Sequence, residues 1–251
     1  MLKKIIVAAI LAHSVLIAYF LLLKQFFQQD EWHGFGIILA WGIKYVTLNK
    51  SIPELLLGDR VGARLLTFGL FNFFHLNPIP YGAFALMMQL LNTFLVFLLS
   101  KKLTKQIPTA LLATFLFLVN ELGNEAYTWF GTMTGSLTAT TFFLLSLLLL
   151  LKFIDTQGYR FVLLSTILLW FSFLFKEVAA FAFIFYPILS FVYSKKINPK
   201  ALLKTHFSLI ILGAIMLFFF AKTVLFIPGD RANYVSTGQS LIPNLLGHAT
   251  Q

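Results

Sequence analysis

Long apolar stretches separated by short polar connections organise this chain. The first stretch, 5–23, carries no charged residue. At a rise of about 1.5 Å per residue, a helix of that length matches the roughly 30 Å hydrocarbon core of a bilayer. Similar stretches recur along the chain, some of them shorter than the ~20 residues that a spanning helix prefers. The pattern predicts about seven transmembrane helices, at 5–23, 83–99, 109–120, 133–151, 161–175, 178–193 and 207–227.

The longest connection, 24–82, is not an ordinary polar loop. Its parts 35–48 and 65–76 are apolar but too short to cross a membrane, which favours helices that lie along the membrane surface. After the last predicted span the polar segment 228–251 has no capping signal, so we expect it to be an incomplete outer segment of a longer reading frame. The predicted fold is an all-α polytopic membrane protein, with 1–227 as its transmembrane module and 24–82 as a long first outer loop.

Composition supports this fold class and excludes several functions. Hydrophobic residues make up 59% of the chain and charged residues 11%, with a mean hydropathy of +0.87, whereas soluble domains carry about 25% charged residues. The apolar runs lack the alternation of a transmembrane barrel. The absence of cysteine excludes disulfides, thiol catalysis and thiolate metal sites. The net charge of +10 comes from lysines that flank apolar runs, which indicates orientation in a membrane and argues against a nucleic-acid partner.

The charged residues also predict an orientation. With the N-terminus in the cytoplasm, eleven of the nineteen basic residues fall in short inside segments, as the positive-inside rule expects. They are Lys3, Lys4, Lys101, Lys102, Lys105, Lys152, Arg160, Lys195, Lys196, Lys200 and Lys204. Eight of the nine acids then lie outside, and only Asp155 lies inside. Acids contribute little to topology, so we expect the outer face of a plasma or inner membrane to carry an active site that uses carboxylates.

Two adjacent carboxylates, Asp30 and Glu31, follow the first predicted span. Isolated acids at a membrane surface are often only solvated helix ends, but an adjacent pair followed by Trp32 and His33 favours a site, because acids near a membrane usually face cavities. A carboxylate there could act as general base on an acceptor hydroxyl. The pair could instead bind a divalent cation.

Two further pairs have helical spacing. Arg60 and Arg64 lie four residues apart, so on a helix they share a face and could clamp a phosphate through bidentate guanidinium contacts. Their alternative role is to anchor the chain at lipid headgroups. Glu121 and Glu125 also share a face and could join Asp30 in a carboxylate cluster for an acceptor or a metal. Their alternative role is an acidic turn beside aromatic residues.

An adjacent ion pair, Lys176–Glu177, interrupts the otherwise apolar sequence between the fifth and sixth predicted spans. Ionised groups at membrane depth cost several kcal/mol each unless they are paired or hydrated. A tight outside turn is one explanation for the pair. The other is that Lys176 contacts an anionic leaving group.

In this order the motifs resemble the C-type membrane glycosyltransferases, the group that includes protein O-mannosyltransferases and lipid A aminoarabinose transferases. The similar segments cover nearly the whole chain, although a proline is missing beside Arg64 and Gln89 stands where many members have histidine. They are Gln29-Asp30-Glu31-Trp32, Ala63-Arg64-Leu65-Leu66, Leu76-Asn77-Pro78 with Tyr81 and Asn92, 120–129 with Glu125, and Phe175-Lys176-Glu177.

The resemblance implies transfer of a sugar from a polyprenyl-phosphate donor to an acceptor glycan, lipid or protein outside the cytoplasm. Asp30 or Glu31 would be the general base, and Arg64 and Lys176 would stabilise the departing phosphate. Two other functions stay open on the sequence: a transporter or flippase of a lipid-linked substrate, and a noncatalytic membrane scaffold.

Overall fold

The computed structural model describes residues 2–176 except 25, 28, 49, 59, 121–127 and 157, together with single positions between 179 and 218. This part of the chain is helical and contains no strand. The helices are α1 (Leu2–Leu23), α2 (Gln29–Trp41), α3 (Lys44–Thr47), α4 (Ile52–Gly58), α5 (Val61–Phe74), α6 (Pro78–Thr104), α7 (Ile107–Leu118), α8 (Phe130–Thr156) and α9 (Tyr159–Phe175).

Among the described residues, three helices are long and apolar enough to cross a membrane: Lys3–Leu23, Pro78–Thr104 and Phe130–Thr156. They contain the predicted spans 5–23, 83–99 and 133–151, and they indicate a membrane protein. The predicted spans 109–120 and 161–175 correspond to the shorter apolar helices α7 and α9. Most residues of the predicted spans 178–193 and 207–227 lie outside the described part of the chain.

The first connection folds as four helices, α2 to α5, where the sequence predicts two surface helices. The apolar segment 35–48 is not one helix, because Gly42 adopts the left-handed conformation with φ +56° and ends α2. Glycine has no Cβ to clash in that conformation. The segment 65–76 lies mostly in α5, which ends at Phe74 before His75 takes φ +50°.

Ordinary end signals fix the bounds of α6, which has 27 residues. Asn77 is its N-cap and its side-chain oxygen accepts a hydrogen bond from the Ile79 N–H at 3.1 Å. Pro78 follows at the first helical position, where its missing N–H costs nothing. The helix ends at Lys105, a left-handed C-cap whose N–H donates to the Lys101 carbonyl.

Polar side chains join the long helices at intermediate depth. Asn92 of α6 donates to the Leu137 carbonyl at 3.0 Å and accepts from Thr141 at 2.7 Å, both on α8. Asn92 thus makes interhelical hydrogen bonds within the apolar part of α6. Ser146 of α8 and Ser165 of α9 each donate to the other's carbonyl, at 2.7 and 2.8 Å. Such small polar residues let helices approach closely inside a membrane.

Two buried clusters mark different parts of the bundle. An aromatic cluster lies where α1 ends and α6 and α8 begin, with Tyr81 and Phe130 ring centroids 4.0 Å apart and Phe27 edge-on to both. A second cluster between α8 and α9 includes Leu150, Leu169 and Tyr186. At the opposite end from the aromatic cluster, Lys102 and Asp155 form an ion pair of 2.8 Å between the ends of α6 and α8.

Candidate functional site

The first turns of α8 form the centre of the candidate site. Residues Met133–Leu137 are π-helical, with a widened backbone between the first turn, Phe130–Thr132, and the regular α-helix that follows. Most of this π segment is buried. Short π segments inside helices are frequent at functional sites. Three other parts of the chain pack against this segment and the turn before it, and each carries a charged residue singled out in the sequence.

Glu31 comes from α2. Its side chain is only 5% exposed, and its Oε1 accepts a hydrogen bond from the Gly131 N–H at 3.0 Å. The aromatic cluster around Phe27 holds the start of α2 against the start of α8. Asp30 precedes Glu31 in the first turn of α2, and its side chain lies outside what the structure describes.

Arg60 and Arg64 lie at the N-terminus of α5. Arg60 is the exposed N-cap residue, and the Arg64 N–H donates to its carbonyl at 3.1 Å. The half-buried Arg64 side chain donates from Nε to the Val46 carbonyl at 2.9 Å, so α3 positions it. The N-terminal turn of α5 contains no acidic residue. Two guanidinium groups therefore add to the positive end of the helix dipole, an arrangement that an anion would stabilise.

A series of hydroxyl groups links this arginine to the π segment. Tyr45 lies close to both Arg64 and Thr67, and Thr67 Oγ1 donates a hydrogen bond to Thr134 Oγ1 at 3.0 Å. Burial raises the pKa of Tyr45 above its ordinary value, an effect that the nearby Arg64 charge and Thr67 hydroxyl partly oppose. Tyr45 is therefore a neutral hydrogen-bonding group at physiological pH.

Lys176 follows the last residue of α9. Its N–H donates to the Ser172 carbonyl at 3.0 Å while its backbone is extended. A Cβ atom added to Gly135 would lie 3.9 Å from Lys176 Cδ and 4.0 Å from Ala63 Cβ, the residue before Arg64. The Phe175 carbonyl oxygen would be closer still, at 3.3 Å, so glycine at position 135 lets the end of α9 pack tightly on the π segment, and the start of α5 lies in ordinary contact beside it.

An apolar cavity of about 420 Å³ begins beside Lys176. Its volume is within the range of about 300 to 1,000 Å³ that small-molecule sites occupy. Hydrophobic side chains and a few hydroxyl groups line it, and Lys176 is the only charged residue among the lining residues that the structure describes. The lining residues are Ser136, Ala139, Thr140, Phe143, Leu147, Ser172, Lys176, Ala179, Ala182 and Tyr186.

The structure thus places some of the predicted site residues together. Glu31 contacts the first turn of α8, Lys176 lies against the π segment that follows it, and Arg64 belongs to the helix turn whose Ala63 meets that same segment. Arg60 lies at the exposed start of α5. Glu121, Glu125 and Glu177 fall outside the described residues. Within the part that is described, no group of three or more His, Asp or Glu side chains could hold a metal ion.

Sequence reasoning did not find the hydroxyl groups or the cavity. Thr67 and Tyr186 each stand alone in an apolar segment, and Thr134 is one of several neighbouring hydroxyl-bearing residues. One signal was present: small and hydroxyl-bearing residues fill 134–141 at the start of the fourth predicted span. Such residues at a helix interface permit close packing, and here they also leave room for the cavity.

The chain matches no protein-family model. No curated protein matches it, and no solved structure does so either. Membership of the family that its motifs resemble therefore stays a hypothesis.

Proposed function

We propose that this chain is a membrane glycosyltransferase that moves a sugar from a polyprenyl-phosphate donor to an acceptor glycan, lipid or protein. One observation carries the proposal: a buried carboxylate and a lysine pack on successive turns of α8, and the lysine also lines an apolar cavity. A lipid phosphate needs a cation for its head and an apolar space for its tail. Sugar transfer also needs a base for the acceptor.

The residues divide this chemistry among them. The acceptor oxygen attacks the anomeric carbon, and the carbon–oxygen bond to phosphate breaks with its electron pair passing to the phosphate oxygen. Asp30 or Glu31 takes the acceptor proton. Arg64 and Lys176 stabilise the charge that develops on the phosphate, which is where preorganised cations lower a transition-state barrier most. The hydrogen bond from Gly131 keeps Glu31 oriented.

The remaining topology belongs to the same proposal. About seven helices would span the membrane, with the N-terminus in the cytoplasm, 24–82 as the first outer loop and the site on the outer face. The support is the positive-inside distribution of short basic segments. A divalent cation at the acidic residues would fit the donor phosphate, and Glu121 and Glu125 would be its further ligands.

The test exchanges Asp30→Asn and Glu31→Gln separately in the full-length protein and measures sugar transfer from a polyprenyl-phosphate sugar in membranes. Loss of a general base typically lowers the rate by about 10²- to 10⁴-fold, so one of the two variants should show such a loss. Asp155→Asn, in the ion pair at the opposite end of the bundle, is the matched control and should retain activity. Unchanged rates in both variants would rule the proposal out.

A transporter or flippase of a lipid-linked substrate is the second candidate. It is favoured by the π segment, which interrupts a helix long enough to span the membrane, since interrupted helices are typical of transporters. However, the polar groups at intermediate depth, such as Ser146 and Ser165, bond to each other and need no substrate. Movement of the lipid-linked sugar across reconstituted vesicles without any transfer product would favour this candidate.

A further inference from the structure

The cavity beside Lys176 is elongated along α8. Its wall on that helix runs from Ser136 to Leu147, which corresponds to about 16 Å of helix axis. Lys176 lies near the Ser136 end, because its side chain packs against Gly135. The opposite wall descends through Ala179 and Ala182 to Tyr186. The cavity therefore has a charged end and an apolar interior.

Tyr186 forms the end farthest from Lys176. It is only 1% exposed, and its hydroxyl donates to Ser146 Oγ at 2.8 Å. Ser146 Oγ in turn donates to the Ser165 carbonyl at 2.7 Å, so the ring is tied to both α8 and α9. Turning the ring aside would leave the Tyr186 hydroxyl without this partner in a buried, mostly apolar place, which is unfavourable. Tyr186 is thus a fixed floor and not an adaptable side chain.

We propose that this cavity binds the head-proximal part of a single-chain prenyl phosphate, with Lys176 at the phosphate and Tyr186 setting how much of the tail is enclosed. The inference rests on the proposed function and identifies the part of the chain that binds the lipid carrier. The phosphate is recognised by the one charged residue among the described lining residues. A volume of about 420 Å³ encloses part of one chain and not the two chains of a phospholipid.

Photolabelling of the whole protein in nanodiscs tests the site. The probes are alkyl phosphates of increasing length, from octyl to octadecyl, each with a diazirine at the end of its tail, and labelled residues are identified by mass spectrometry. Short probes should label the region of Ser136 and Ala139, and longer probes should label Leu147 and Tyr186. Lys176→Gln should reduce this labelling severalfold, whereas Lys152→Gln on the distal end of α8 should not. Excess farnesyl phosphate should compete, and phosphatidylglycerol should not.

The floor is tested by two variants of Tyr186. Tyr186→Ala should let the longest probes label residues one turn further along α8, near Leu150, while Tyr186→Phe keeps the ring and should keep the labelling at Leu147. Because Tyr186→Phe retains the packing, it also reports on whether loss of the hydrogen bond alone disturbs folding. An unchanged labelling pattern in Tyr186→Ala would overturn the role of Tyr186.

Other outcomes overturn the site itself. Labelling spread over exposed residues of α9, such as Leu163 and Ile167, would place the tails in bulk lipid. Equal labelling by the corresponding alcohols, or competition by phosphatidylglycerol, would show that the cavity does not select a prenyl phosphate. The readout does not use sugar transfer, so the two proposals can fail separately. Cavity labelling in a protein without transferase activity would retain this inference alone, and transfer without cavity labelling would retain only the proposed function.

Discussion

Thr138 and Thr141 lie about one turn apart on α8 and differ in how their hydroxyl groups are satisfied. Thr141 Oγ1 donates to Asn92 Oδ1 at 2.7 Å and lies 3.0 Å from the Leu137 carbonyl. Thr138 Oγ1 is buried and has no hydrogen-bond partner among the residues that the structure describes. A buried polar atom without a partner costs about 1 to 3 kcal/mol. The same residue type therefore has opposite effects on stability at two neighbouring positions.

Replacing each threonine by valine, which has nearly the same shape, should separate these effects. Thr138→Val should raise stability by up to about 1 kcal/mol, because it removes an unsatisfied hydroxyl. Thr141→Val should lower stability by about 1 kcal/mol or more, because Asn92 then loses a partner inside the bundle. Thermal unfolding in detergent, followed by tryptophan fluorescence, checks both, with about 2 to 4 °C expected per kcal/mol. Equal shifts in the two variants would contradict the assignment of partners.

The sequence alone predicts one side of this interaction and not the other. An asparagine such as Asn92 within a long apolar run needs a partner, so its interhelical hydrogen bonds could be expected. Its partner Thr141 is one of several hydroxyl-bearing residues at 138–141, and hydrophobic periodicity does not show which of them faces α6. That choice depends on the rotation of α8, which the π segment before it alters.

Two glycines of α5 show how this helix is held against its neighbours. A Cβ atom added to Gly62 would lie 3.1 Å from the Leu174 carbonyl oxygen and 3.0 Å from the Phe175 ring. A Cβ atom added to Gly69, two turns further on, would meet nothing within 4 Å. The start of α5 is therefore packed directly against the end of α9, which places Arg64 and Lys176 on adjoining elements.

Alanine substitution at these two positions should have opposite effects. Gly69→Ala should stabilise the protein by about 0.5 to 1 kcal/mol, because glycine is the poorer helix former. Gly62→Ala should destabilise it by about 1 to 3 kcal/mol, because the Leu174 backbone cannot easily move away from the new methyl group. The measurement is again thermal unfolding in detergent. Stabilisation by Gly62→Ala would show that α5 does not approach α9 this closely.

At the scale of helices, the length and apolarity of a segment predict where a helix lies but not where it is interrupted. The long runs at 5–23, 83–99 and 133–151 lie in the three helices that can span a membrane. The break at Gly42 within 35–48 and the π segment at Met133–Leu137 were not predicted. Both occur inside segments that the hydrophobic pattern assigns to one helix, and hydrophobicity does not distinguish a regular helix from an interrupted one. Only contacts with other elements, such as Thr134 with Thr67, distinguish them.

Over the whole molecule, the helix order separates two chemically different ends. At one end lie the connection between α6 and α7, the C-terminal end of α8 with Lys152, and the N-terminal end of α9 with Arg160. Asp155 lies at this end too, in the ion pair with Lys102. The other end gathers Glu31, Arg64 and Lys176 around the π segment. Short segments rich in lysine and arginine stay in the cytoplasm. The end that carries the candidate site should therefore face outward.

Because the chain contains no cysteine, single cysteines report on this arrangement without background labelling. His33→Cys on α2 and Asn120→Cys after α7 replace exposed residues at the site end, and Gln106→Cys and Thr156→Cys replace exposed residues at the basic end. In intact cells, a membrane-impermeant thiol reagent should modify the first two and spare the others, and inside-out vesicles should give the reverse pattern. Modification of His33→Cys and Gln106→Cys from the same side would mean that α6 does not span the membrane. The fully reversed pattern in intact cells would place Glu31 and Lys176 on the cytoplasmic side and would contradict the proposed outer location of the site.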